Sequence, residues 1–214
     1  MKTREVALTG LMAALVLVIT RAFVLPIPQT KGFFNLGEAG VYLAAVLFGP
    51  RVGALAGGIG SALADLTLGY AHYAPFTLVI KGIEGALVGA IAHGARAARI
   101  PGLAVGAAAA VWLFTMEALA IRIAAAGLLI AALIGLALLA RRPEGRAPAR
   151  LAGMISGGLA MVAGYFITQA YVLGLGASVA LAEVPYNLVQ VVVGVVAGLA
   201  AVATVERALL APPP

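Results

Sequence analysis

Lys81 and Glu84 stand three residues apart inside an apolar run, so a helix would carry both on one face. An ionisable side chain in such a segment needs a partner, a ligand or a water-filled cavity. Asp65 lies near the end of the preceding apolar run, and Glu38 opens an earlier one. Tyr165 and Gln169 are four apart and Asn187 and Gln190 three apart, again pairs that share a helical face. Asn35, Tyr70 and Tyr73 occupy the polar connections. Together these groups offer donors, acceptors and aromatic faces, which is binding chemistry. They do not form a reaction centre. No Ser/His/Asp or paired-carboxylate arrangement stands out, and there is no Walker A lysine loop for hydrolysing ATP. His93 has neither a cysteine nor a second histidine nearby, so no metal or other cofactor is expected.

Each group also has a plainer reading. Lys81 and Glu84 would neutralise each other as a structural ion pair, with Asp65 as a third member. Tyr70 and Tyr73 would anchor at a membrane interface, and His72 would be a solvated loop residue. The residues alone leave both readings open.

The elements that must position these groups follow from composition. The 214 residues are 63% hydrophobic and 10% charged, with a mean hydropathy of +1.09. A soluble domain carries about 25% charged residues. The apolar runs are long enough to cross a bilayer, which takes about 20 residues per helix. They are continuous Ala/Leu/Val/Gly stretches without the alternation of a membrane barrel, so the expected class is an all-α integral membrane protein. The net charge of +6 then reads as loop charge, with no nucleic-acid partner implied.

The runs fall at 6–24, 38–49, 52–68, 76–95, 151–173 and 185–205, with Pro185 expected at a helix start. Residues 102–140 are too long for one span and are interrupted by Glu117 and Arg122, which predicts an inserted hairpin over 103–117 and 124–140. Eight spans result, the first read as a retained helix because no small-x-small cleavage site follows Ile19. With both termini cytoplasmic, the inner side receives Lys2, Arg4, Arg51, Arg96, Arg99, Arg141, Arg142, Arg146, Arg150 and Arg207. The outer side receives Arg21, Lys31 and Arg122, as the positive-inside rule requires. Seven spans would put the 141–150 cluster outside; a six-span core with 102–140 lying re-entrant or interfacial is the other arrangement open.

In this orientation nearly every intramembrane polar residue lies near the outer face, above a floor of Ala, Gly, Leu and Val. A channel or proton relay would spread polar groups through the full depth. A cup open to the outside, with Phe33, Phe34, Tyr70, His72, Tyr73 and Tyr186 above it, suits a flat heteroaromatic ligand. Small residues four apart (Gly53 and Gly57, Gly57 and Ser61, Gly60 and Ala64, Gly85 and Gly89) predict close helix packing.

A series of strings carries a resemblance. Asn35-Leu36-Gly37-Glu38 leads to Phe48-Gly49-Pro50-Arg51-Val52-Gly53, then to Gly60-Ser61-Ala62-Leu63-Ala64-Asp65 and to Tyr73-Ala74-Pro75-Phe76-Thr77-Leu78-Val79-Ile80-Lys81-Gly82-Ile83-Glu84-Gly85. Met161-Val162-Ala163-Gly164-Tyr165-Phe166 and Glu183-Val184-Pro185-Tyr186-Asn187-Leu188-Val189-Gln190 follow. In this order, over about 4–98 and 150–207, they resemble the S components of energy-coupling-factor (ECF) vitamin importers, riboflavin-type branch. The resemblance implies a six-helix core, 1–98 and 150–214, that binds a water-soluble vitamin or precursor of riboflavin, pyrimidine or pyridoxine type. It implies partnership with a transmembrane coupling subunit and two ATP-binding-cassette ATPases in the cell membrane. It further implies that the first helix docks on the coupling subunit through small residues, here Gly10, Ala13 and Ala14. The expected substrate contacts are Asn35, Glu38, Asp65, Tyr70, Tyr73, Lys81, Glu84, Tyr165, Gln169, Asn187 and Gln190. Residues 99–149 have no counterpart in the six-span pattern. The rival readings are a stand-alone secondary transporter, which would show inverted repeats, and a membrane enzyme or assembly factor.

Overall fold

The computed structural model describes residues 2–94 and 147–210. The expected hairpin over 103–140 falls outside them, as does most of the 141–150 loop. Helix α1 is Thr3–Ala22, and strands β1 (Val24–Ile27) and β2 (Gly32–Asn35) follow. Helices α2 (Gly37–Phe48), α3 (Pro50–Leu68) and α4 (Ala74–Ala92) complete the first part. After the undescribed stretch come α5 (Ala147–Ile167), a π-helical turn (Thr168–Val172) and α6 (Ala177–Leu210).

Local chemistry sets the breaks. Gly49 takes φ 87° between α2 and α3, and Pro50 follows at the first position of α3, where its missing N–H is harmless. Gly69 closes α3 in the left-handed region, φ 89°, while the Tyr70 N–H bonds the Asp65 carbonyl at 2.8 Å. Pro75 lies in the first turn of α4.

The helices run alternately up and down. Arg21 donates to the Thr67 carbonyl at 3.2 Å, tying the ends of α1 and α3 beside the β-hairpin. At the opposite end Arg150 of α5 grips Glu206 of α6 through two hydrogen bonds, 2.6 and 2.9 Å. There too His93 lies 3.0 Å from the Val46 carbonyl. Helix α4 therefore finishes, and α5 begins, at this same end. Among the described residues four helices are long and apolar enough to cross a membrane: α1, α4, α5 with its π turn, and α6.

The short α2 is the axis of the bundle. Val41, Tyr42, Ala44 and Ala45 are wholly buried, and Leu43 and Val46 nearly so. A helix apolar on all sides belongs in such a position. The most extensive helix pair is α3 with α4. A Cβ on Gly53 would lie 2.6 Å from the Ala45 Cβ and 2.7 Å from the Gly85 carbonyl oxygen, and one on Gly85 would strike the Gly53 backbone. The small residues expected to pack therefore do so, and the contact is backbone against backbone.

Several expectations need correction. The polar loop after α1 is a β-hairpin pairing Val24 with Asn35 through Ile27 with Gly32, and Ile27, Gly32 and Asn35 are its buried strand positions. Helix α6 starts at Ala177, so Pro185 lies in its interior. Burial of Ala180, Glu183 and Val184 holds the extra turns despite the bond that Pro185 cannot donate. Helix α5 already begins at Ala147, inside the expected loop. Finally, α2 has 12 residues, or about 18 Å at 1.5 Å per residue, too short to cross on its own.

Candidate functional site

The shortness of α2 creates the site. A hydrocarbon layer of about 30 Å around an axial helix of about 18 Å leaves about 12 Å of depth with no central helix. The β-hairpin roofs that space and the outer turns of the other helices wall it. Thr20 comes from the end of α1, Ser61 and Asp65 from α3, Thr77 and Lys81 from α4, Tyr165 from α5, and Glu183, Asn187 and Gln190 from α6. Gly32, Phe33 and Asn35 of the hairpin and Tyr73 before α4 complete the lining. The cleft encloses about 440 Å³ of empty space when its open mouth is counted.

Its floor is an ion network. The Lys81 ammonium donates to Glu84 Oε2 at 2.9 Å and to Glu38 Oε1. Both carboxylates are fully buried. Gln190 Nε2 donates to the same Glu38 oxygen at 2.6 Å, while its carbonyl accepts the Asn35 N–H at 2.8 Å. The Asn35 side chain in turn accepts the Gly37 N–H at 2.8 Å. One chain of bonds thus joins α4, α2, α6 and the hairpin. The Lys81 nitrogen also lies 6.0 Å from the Tyr165 ring centre, within reach of a cation–π contact.

A second chain holds the roof. The Tyr73 hydroxyl donates to the Thr30 carbonyl at 2.8 Å and accepts from Gln169 Nε2 at 3.3 Å. This ties the hairpin turn to the π turn of α5, an irregularity frequent at functional sites. Burial first, and then the nearby Glu183 carboxylate, pushes the Tyr73 hydroxyl up to about 12, so it remains a donor at neutral pH. Tyr165 donates to Thr77 Oγ1 at 3.0 Å.

Of the eleven expected contacts, Asn35, Asp65, Tyr73, Lys81, Tyr165, Asn187 and Gln190 line the cleft. Glu38 and Glu84 sit behind Lys81, and Gln169 behind Tyr73. Tyr70 stacks against Phe33, ring centres 4.6 Å apart. Lys81 is therefore paired, as the ion-pair reading expects, with Glu38 in the place expected for Asp65, and it also lines the cleft. Phe34 packs against Phe23, and His72 and Tyr186 are exposed. Of the three small residues on α1, Gly10 and Ala14 are exposed but Ala13 is buried, with its carbonyl 2.5 Å from where a Gly60 Cβ would stand. Sequence reasoning missed Thr20, Ser61, Thr77 and Glu183. The spacing of Glu183 from Asn187 and Gln190, four and seven along one helical face, was the available signal. The expected start at Pro185 hid it. No cluster of metal-ligating residues occurs among the described residues.

Known proteins share these features of sequence. The family model of the ECF-type riboflavin transporter, S component, matches residues 1–131. The chain belongs to this family. It is accordingly a multi-pass membrane protein of a transport family and not an enzyme. A thiamine precursor transporter, HmpT, of Lactococcus lactis subsp. cremoris (strain MG1363) is 39% identical over 87 residues, 40% of this chain and 52% of that protein. An uncharacterized protein of Pyrococcus woesei is 53% identical over 79 residues, 37% of this chain and 53% of that one. This S component spans about half the length of the curated relatives it matches.

Proposed function

We propose that the chain is the substrate-capture subunit of an ATP-driven ECF importer, taking a water-soluble vitamin or vitamin precursor from outside the cell membrane. The observation that carries this reading is the roofed polar cleft above α2, open at one end and closed below by the glycine-packed bundle. Side chains from α1, α3, α4, α5 and α6 meet there, an arrangement suited to holding a small ligand. Orientation follows from charge. Lys2, Arg4, Arg51, Arg150 and Arg207 belong to the end opposite the cleft, whereas Arg21 and Lys31 belong to the hairpin end, a distribution that supports a cleft facing outside and both termini in the cytoplasm. Energy comes from partners, a coupling subunit and two ATPases, since the chain has no Walker A loop of its own. The exposed Gly10 and Ala14 of α1 serve as the docking face.

Reconstitution with and without the partner subunits tests the reading. The purified chain alone is expected to bind its vitamin, and uptake into vesicles is expected only with the partners and ATP. Uptake by the chain alone would instead identify a secondary transporter. Gly10→Leu or Ala14→Leu is expected to abolish uptake and leave binding intact.

A further inference from the structure

The cleft has an excess of acceptors. Lys81 is its cation, and that ammonium already bonds Glu38 and Glu84, so one of its three donors remains. Two further carboxylates line the cleft, Asp65 of α3 and Glu183 of α6, each 4% exposed. Asp65 Oδ2 and Glu183 Oε2 are buried and have no hydrogen-bond partner among the described residues. A buried oxygen without a donor loses its water and gains nothing in return. Glu183 lies directly beneath the roof, since a Cβ on Gly32 would stand 2.9 and 3.0 Å from its two oxygens. Phe33, Tyr73 and Tyr165 supply aromatic surface in the same cleft.

Resting on the capture-subunit reading, we infer that Asp65 and Glu183 are specificity-determining residues selecting a flat nitrogen heterocycle with an exocyclic amino group or a protonated nitrogen. Such a ligand brings donors to both free oxygens. A ring nitrogen accepts the remaining Lys81 N–H, and the ring lies against the aromatic walls. A carboxylate or phosphate ligand would enter a cleft lined by Asp65 and Glu183, whose one lysine already bonds Glu38 and Glu84. Its like-charge repulsion inside a poorly solvated site is a strong barrier.

The test is equilibrium binding to the full chain in lipid nanodiscs. The probes are thiamine, its aminopyrimidine half, the same pyrimidine with hydrogen in place of the amino group, riboflavin and nicotinate. The amino-bearing probes are expected to bind at least about 10-fold more tightly than the des-amino pyrimidine, because a site built around hydrogen bonds rejects the analogue that lacks them. Asp65→Asn and Glu183→Gln are each expected to weaken the amino-bearing probes by about 10-fold or more and the des-amino probe by less than about 3-fold. Equal binding of the matched pair overturns the inference, and so does tightest binding of riboflavin or nicotinate; either result leaves the capture reading standing. A folded protein that binds none of the probes overturns both. The matched pair on the unaltered chain decides the question even if a variant fails to fold.

Discussion

The two halves of the α3–α4 pair are built on opposite principles. Toward the inner end, Gly53, Gly85 and Gly89 bring backbones into direct contact, and Gly89 abuts Pro50. Toward the hairpin end the same two helices carry Asp65, Thr77 and Lys81, each nearly buried, to the lining of the cleft. The inner half cannot admit even a methyl group, whereas the outer half holds buried oxygens that no neighbour satisfies. In lipid there is no hydrophobic drive between helices, so close packing must supply the cohesion. The tight half therefore holds the loose half open.

The largest way to break this contrast is Lys81→Met. It strands Glu38 and Glu84 as uncompensated buried charges, at a cost of about 3–5 kcal/mol. Thermal unfolding in detergent should show a collapse in stability, and adding Glu38→Gln and Glu84→Gln should restore much of it without restoring binding. Next comes Gly85→Ala, whose methyl would press on the Gly53 backbone and cost about 1–3 kcal/mol. Gly82→Ala is the control, since its Cβ would meet only the Ala54 carbonyl at 3.6 Å; its stability should change by less than about 0.5 kcal/mol.

Tyr73→Phe probes the roof. It removes the bond to Thr30 and the acceptor for Gln169, worth about 1 kcal/mol, and should appear mainly as faster ligand release. With the folded hydroxyl at about 12 against an ordinary 10.0, ionisation is easier in the unfolded chain. The Tyr73 contribution is thus complete below pH 10 and lost as pH rises toward about 12. Unfolding midpoints across that window should show a component that Tyr73→Phe abolishes. The smallest effect on stability belongs to Ala14→Leu. Ala14 is exposed, so the melting temperature should not move, while Ala13→Leu, at a buried site, should lower it.

Much of the site is legible in the sequence because intramembrane polar residues are costly and hence sparse. Lys81, Glu84, Asp65, Tyr165, Asn187 and Gln190 stand out against Ala, Leu and Val on that ground alone. Thr20, Ser61 and Thr77 do not, since a hydroxyl can bond its own helix backbone and so costs little anywhere in a span. Glu183 is hidden by Pro185, a local start signal that packing of the preceding turns overrides. The β-hairpin is hidden because its proline-bearing, polar stretch has no alternation of apolar residues to mark a strand and so reads as a loop.

Composition and periodicity by themselves determined that the chain is a helical membrane protein, which residues are too polar to face lipid, and where glycines permit close approach. These are properties of single residues and of neighbours within a turn or two. Only the tertiary structure decided that Glu38, 43 residues before Lys81, shares its proton-rich nitrogen with Glu84. It also decided that α2 stops short to leave a cleft and that Ala13 turns inward while Gly10 and Ala14 face out. Such facts depend on how distant segments meet, and helices with apolar residues on every side carry no sequence marker for which face meets which neighbour.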